Sequence, residues 1–151
     1  MTMQPIQITT YNNQTHRAQV ISLWQKVFSY EAEHNEPNLV IDKKCVVDDG
    51  LFFVAVRDDV VVGTIMAGYD GHRGWIYAMA VAPELQKGGI GSELLEFAEK
   101  ELALRGCLKV NLQIMEGNEG VQRFYETNGY LAEKRVSMGK LMDENVSGED
   151  T

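Results

Sequence analysis

The sequence predicts an α/β fold built on one mixed sheet, and three observations carry that reading. Apolar runs of strand length, separated by turns, fill the middle of the chain from Leu51 to Val81. From Ile90 through Leu94, Ala98 and Leu102 the apolar residues recur at every fourth position, which is the period of a helix. After that helix, a further strand-like run and a further helical segment alternate, the order that lays helices on a sheet.

Each element has its own signal. Ile6 to Thr10 alternates apolar and polar residues, as a short first strand does. Val20, Ile21, Trp24, Val27 and Phe28 share helical spacing and predict a helix from about Thr15 to Phe28. Tyr30 to Pro37 breaks the pattern and reads as a loop, with a weaker helical segment from about Leu39 to Val47. Leu51 to Val56 and Val60 to Met66 are apolar and β-rich, and Asp58-Asp59 lies between them at hairpin spacing. Asp70-Gly71-His72-Arg73-Gly74 predicts a second turn, and Trp75 to Val81 the strand after it, so the three runs form an antiparallel meander. Gly106 follows the long helix where a C-cap glycine belongs. Lys109 to Ile114 then predicts a strand, Glu119 to Thr127 a helix stopped by Gly129, and Tyr130 to Leu141 one or two last strands. The expected total is six or seven strands, mostly antiparallel, with about four helices. One domain is expected over residues 1–142, followed by a polar, acidic and unstructured tail at 143–151.

Composition narrows the function classes. Of 151 residues, 44% are hydrophobic and 24% charged, enough apolar material for a substantial core. No apolar run approaches the ~20 residues of a membrane span, so no membrane partner is expected. Met1 to Pro5 lacks the basic and apolar regions of a signal peptide. Cys45 and Cys107 stand far apart and outside any CxxC spacing, which argues against a disulfide framework and against a metal site. A reducing cytoplasm is the simplest setting. Net charge is −8 and no Lys/Arg cluster occurs, so no nucleic-acid partner is expected. The acidity favours a cationic partner or serves solubility alone.

The most informative stretch is Val81-Ala82-Pro83-Glu84-Leu85-Gln86-Lys87-Gly88-Gly89-Ile90-Gly91-Ser92, which joins a strand to the long helix. Pro83 ends the strand, because it has no N–H for a central ladder. Gly88, Gly89 and Gly91 let the backbone curl with its N–H groups pointing one way, and the helix start adds unpaired N–H groups and a positive dipole end. Such a turn suits a pyrophosphate, although an ordinary strand-to-helix turn has a similar composition. A P-loop needs Gly-Lys-Ser/Thr, which does not occur here. The dinucleotide pattern GxGxxG fails at Leu94. Gln-x-x-Gly-x-Gly, met by Gln86, Gly89 and Gly91, remains.

Downstream, Asn118-Glu119-Gly120-Val121-Gln122-Arg123-Phe124-Tyr125-Glu126-Thr127-Asn128-Gly129-Tyr130 supplies a second motif. Together the two segments resemble the GNAT superfamily of acetyltransferases, whose patterns are Gln/Arg-x-x-Gly-x-Gly/Ala and then Asn-x-x-Ala/Val-x-x-Phe-Tyr-x-x-x-Gly-Phe/Tyr. The resemblance covers roughly Leu51 to Leu141. Gly68 to Gly74, Arg105-Gly106-Cys107 and Ser137 to Lys140 are more narrowly similar to the bacterial YpeA-type acetyltransferases.

The resemblance implies a GNAT-like domain that uses acetyl-coenzyme A as co-substrate, without a metal, to acetylate an amine. It implies that the backbone of Met79, Ala80 and Val81 pairs with the pantetheine arm. Gln86, Lys87, Gly88, Gly89, Ile90, Gly91 and Ser92 would hold the pyrophosphate, and Asn118 would hydrogen-bond the pantetheine. Tyr125 would be the catalytic residue that protonates the departing thiolate. A phenol, with an ordinary pKa near 10, is protonated at neutral pH, so it can donate as charge builds on sulfur. Packing alone would also place an aromatic ring at that helix position. No glutamate stands on Trp75 to Val81, which leaves Tyr69, Tyr77, Asp70, His72 and Glu116 as candidates for the general base, with His72 also readable as a turn residue. Glu31, Glu33 and Glu36 lie in a loop that borders the acceptor in this family, and also suit a solvated loop. The acceptor is unidentified, a homodimer stays open, and a non-catalytic coenzyme A-binding module is the alternative.

Overall fold

A computed structural model describes residues 4–28 and 33–142, and the statements below concern those residues. The expected tail at 143–151 and Glu31 lie outside the described residues.

The first strand, β1, is Gln7–Thr10. Asn12 accepts hydrogen bonds from the N–H groups of Gln14 at 2.9 Å and Thr15 at 3.1 Å, which caps α1, Asn13–Val27. The helix therefore begins about a half-turn before the expected start at Thr15. Val20, Leu23 and Trp24 form its buried stripe. Pro37 opens α2, Pro37–Val47, and the Glu36 carboxylate caps it by accepting from Asn38 and Leu39. A helix thus forms where periodicity is weak, because its start is specified by Pro37 and Glu36 and its end is closed by Asp48, left-handed at φ +50° with its N–H donating to the Lys44 carbonyl.

Three strands follow: β2, Phe52–Arg57; β3, Val60–Tyr69; and β4, Gly74–Val81. Asp58 and Asp59 both take positive φ, 53° and 64°, in the two-residue turn between β2 and β3. That geometry matches the twist of a hairpin. Helix α3, Ile90–Leu104, strand β5, Val110–Leu112, and helix α4, Glu119–Thr127, complete the order. Gly106 follows α3 with φ +92°.

The sheet runs β1-β2-β3-β4-β5, with three antiparallel pairs and a parallel pairing of β4 with β5. The described residues therefore hold five strands rather than six or seven. The missing ones are those expected between Tyr130 and Leu141, where the chain forms no strand. Val136 and Met138 alternate with polar residues, but both are exposed, and a local bond from Arg135 N–H to the Glu133 carbonyl bends the backbone. Alternation marks a residue run fit for a strand, but a ladder partner makes it one.

Consecutive residues of β2 point to opposite faces. Phe52 and Val54 join Val20, Trp24, Ile41 and Met66 in the core beneath α1 and α2. Phe53 instead meets Phe97 of α3 edge-on, with ring centroids 4.9 Å apart. Gly63 lets α3 approach closely, since a Cβ there would lie 2.8 Å from Leu94 Cδ1 and 3.2 Å from the Ala80 carbonyl. The chain divides into two compact units, residues 1–114 and 115–151, the first holding the sheet with α1 to α3 and the second holding α4.

Candidate active site

In the first unit, β4 is irregular where it matters. Thr64 pairs with Ala80 and Met66 with Tyr77, so Ala78 and Met79 together face the single residue Ile65. The extra residue is a β-bulge, and Ala78 takes φ +51° within it. On the other side of β4, the parallel ladder ends with Ile76 opposite Leu112. Tyr77 to Val81 consequently has a strand partner only at β3. Met79, Ala80 and Val81 stand on this open-sided segment, which has the form that an extended ligand can pair with as a strand would.

The chain then passes through a short 3-10 turn, Pro83–Leu85, into the glycine turn. Gly89 is the N-cap of α3 at φ +87°, ψ −1°, a conformation that favours glycine, and it offers no side chain to cap the helix. Among the described residues, the N–H groups of Gln86, Lys87, Gly89, Ile90, Gly91 and Ser92 donate to no protein acceptor. Ile90 and Gly91 are buried, while Gln86 to Gly89 are exposed, so the turn is anchored at its helix end and open at its tip. Unpaired N–H groups at a helix N-terminus, with the positive end of its dipole behind them, make an anion site. The Gln86 side chain has a different part to play: its amide donates to the Val81 carbonyl at 3.1 Å and ties the turn to the end of β4.

The second unit carries the other two expected residues, both on α4. Asn118 caps that helix, its Oδ1 accepting from Val121 N–H at 3.4 Å, while its amide hydrogens have no partner among the described residues. Tyr125 is buried between edge-on Phe124 and Tyr130, with centroids 5.0 and 5.6 Å away. Burial pushes its pKa up to about 12. Its hydroxyl donates to no described residue.

The candidate bases separate clearly. Asp70 accepts from His72 N–H at 2.8 Å and Arg73 N–H at 2.7 Å, and these bonds hold its carboxyl below the usual range. Tyr69 donates to the carbonyls of Gly71 and Gly106, and His72 sits exposed within the same turn. These three build the β3–β4 turn. Glu36 is occupied as the cap of α2, and its bonds to Asn38 and Leu39 lower its pKa. Glu116 is exposed in the second unit. Tyr77 stands half-exposed on β4, with the Lys44 ammonium 5.4 Å from its ring centroid.

Sequence reasoning missed three groups. Lys44 is buried and donates to Asp49 Oδ2 at 3.0 Å and the Ala67 carbonyl at 2.6 Å. Thr64 and Trp24 are joined by a buried hydrogen bond. None of these carries a local motif, although a lysine within a helical apolar pattern hints at the first. Among the described residues no group of three or more His, Cys, Asp or Glu could hold a metal, and no helix is long and apolar enough to cross a membrane.

Comparison with known proteins decides the family. The model of the acetyltransferase (GNAT) family matches residues 17–130. The chain belongs to the acetyltransferase (GNAT) family. Solved GNAT-like structures share its fold at low identity. One is the PaiA N-acetyltransferase of Thermoplasma acidophilum in complex with coenzyme A, 20% identical over 88% of this chain and 94% of that one, with a TM-score of 0.75. Another is glucosamine-6-phosphate N-acetyltransferase from Arabidopsis thaliana, 19% identical over 93% and 100%, at 0.68. A third is an aminoglycoside N-acetyltransferase in complex with coenzyme A, 17% identical over 90% and 94%, at 0.72. The GNAT match spans the glycine turn, Asn118 and Tyr125.

Proposed function

We propose that this GNAT protein transfers the acetyl group of acetyl-coenzyme A to a primary amine. The observation that carries the reading is the glycine turn, where the N–H groups of Gln86, Lys87, Gly89, Ile90, Gly91 and Ser92 lack acceptors among the described residues and follow directly on a strand with one open side. The turn fits a pyrophosphate and the open segment Met79–Val81 fits the amide-bearing pantetheine arm. Acetyl-coenzyme A, when bound, would supply the acetyl thioester and leave as the coenzyme A thiol. Asn118 holds the pantetheine through its free amide hydrogens, and Tyr125, kept protonated by burial, gives its hydroxyl proton to the departing thiolate.

The acceptor must arrive neutral, since an ammonium has no lone pair. A lysine-like amine, of pKa near 10.4, is neutral in about one molecule in 2,500 at pH 7. Proton removal through Tyr77 or water therefore belongs to the reaction. A net charge of −8 favours capture of a cationic amine. The free thiols of Cys45 and Cys107 suit a reducing cytoplasm.

Acetyl-coenzyme A is expected to raise the melting temperature by mass action, and ATP and NAD to leave it unchanged. Stabilisation by ATP or NAD in preference to acetyl-coenzyme A refutes the ligand assignment. Thiol release, followed across aminoglycosides, amino sugars, polyamines and peptides, then identifies the acceptor class. Binding of acetyl-coenzyme A without thiol release from any amine favours a non-catalytic binding module instead.

A further inference from the structure

We propose that a buried relay from Trp24 through Thr64 to Ala78 sets the backbone groups with which β4 meets the pantetheine arm. The inference rests on the acetyl-coenzyme A reading and makes Thr64 a positioning residue for it. Ala78 has a left-handed backbone at φ +51°, which a residue with a Cβ adopts only when its surroundings compel it. The compelling contact is the Thr64 hydroxyl, which donates to the Ala78 carbonyl at 3.0 Å. The indole N–H of Trp24 donates to the same hydroxyl at 2.9 Å. An indole can only donate, so it occupies the oxygen's acceptor side and leaves the hydroxyl hydrogen for Ala78. Thr64 is 0% exposed and Trp24 2%, so water does not compete for either bond.

The consequence lies one peptide further on. The Ala78 carbonyl and the Met79 N–H belong to one planar trans unit and point in opposite directions. With the carbonyl drawn to Thr64, the Met79 N–H turns away from it. The extra residue also puts Met79 to Val81 one step out of register with Gly74 to Tyr77 against β3. Without the bulge, the backbone groups that face β3 and those that face the open side would exchange over Met79–Val81. Thr64 thereby governs which donors and acceptors the open side presents, although it stands on a neighbouring strand.

Thr64→Val keeps the branched shape and removes the hydroxyl, and Thr64→Ser restores a hydroxyl on a smaller side chain. Because the Val variant leaves the Trp24 N–H buried without an acceptor, the double variant Trp24→Phe/Thr64→Val is made alongside it. Titration calorimetry uses acetyl-coenzyme A and adenosine 3′-phosphate 5′-diphosphate, which carries the phosphates without the arm. Both Val forms are expected to bind acetyl-coenzyme A about 3- to 10-fold more weakly, the value of one hydrogen bond, and the fragment as wild type does. The Ser form is expected to bind both normally, and amide exchange in the Val forms to quicken at Ala78–Ala80 more than in β2. A folded Val form with wild-type affinity for acetyl-coenzyme A overturns the relay, and so does an equal loss for both ligands, which a general structural defect produces. A wild-type chain that binds neither ligand overturns the acetyl-coenzyme A reading itself, and this inference with it.

Discussion

At the scale of single residues, Tyr125 combines tight packing with the proton-donor role proposed for it. Its ring is held edge-on by Phe124 and Tyr130, and its hydroxyl is left without a partner among the described residues. Burial raises its pKa to about 12, so the proton remains in place throughout the range in which an enzyme works. Tyr125→Phe keeps the ring and removes the donor. Single-turnover rates are expected to fall roughly 10- to 10³-fold, with kcat and kcat/KM lowered together and acetyl-coenzyme A affinity little changed. A Phe variant with wild-type single-turnover rates removes Tyr125 from the mechanism. The residue was legible as a candidate because the Phe-Tyr-x-x-x-Gly pattern lies within one helix. Thr64 was not, since its two partners are 40 and 14 residues away in the chain.

Among the elements, the glycine turn and α3 act together. Gly89 has open space where a Cβ would stand, but its φ of +87° penalises any side chain. Gly89→Glu adds a carboxylate facing the N–H groups proposed to hold pyrophosphate. Calorimetry is expected to show acetyl-coenzyme A binding lost in a protein that still folds, whereas Gly89→Ala, which carries the strain without the charge, retains more of it. Unchanged affinity in a folded Glu variant would place the pyrophosphate elsewhere. Gly63→Ala tests the seat of the same helix, because its Cβ would stand 2.8 Å from Leu94 Cδ1 and 3.3 Å from Ile90 Cγ2. Overpacking of this kind costs about 1–3 kcal/mol, readable as a lower denaturant midpoint. A midpoint equal to wild type would show that α3 yields without cost. The turn was readable from its three glycines, but the anchoring of Gln86 to the Val81 carbonyl was not. The same residue type suits a direct phosphate contact and a strand clasp, and only the fold distinguishes them.

For the whole molecule, two phenols, one buried and one partly buried, set an alkaline limit. Tyr11, stacked 4.2 Å from Phe52, has its pKa pushed up to about 12 by burial, as does Tyr125. In the unfolded chain both titrate near 10, so above that pH the unfolded state binds fewer protons than the folded one. Stability from these groups is complete below pH 10 and declines as pH rises through 12. Urea unfolding across that window is expected to show the decline, and Tyr11→Phe and Tyr125→Phe each to shrink it. An identical alkaline loss in both variants would assign it to other groups. What the sequence by itself determined were features written within a few residues: the helical periods of α1, α3 and α4, the Asp58-Asp59 hairpin, the Gly106 stop and the two family motifs. Local sterics and side-chain period suffice for these. Tertiary structure decided the rest. Whether Tyr130 to Leu141 forms strands depends on a ladder partner, and the end of the parallel ladder at Ile76 depends on where β5 diverges. The bulge at Ala78 depends on a hydroxyl from β3 and an indole from α1, because hydrogen bonds and burial join residues that the chain itself keeps far apart.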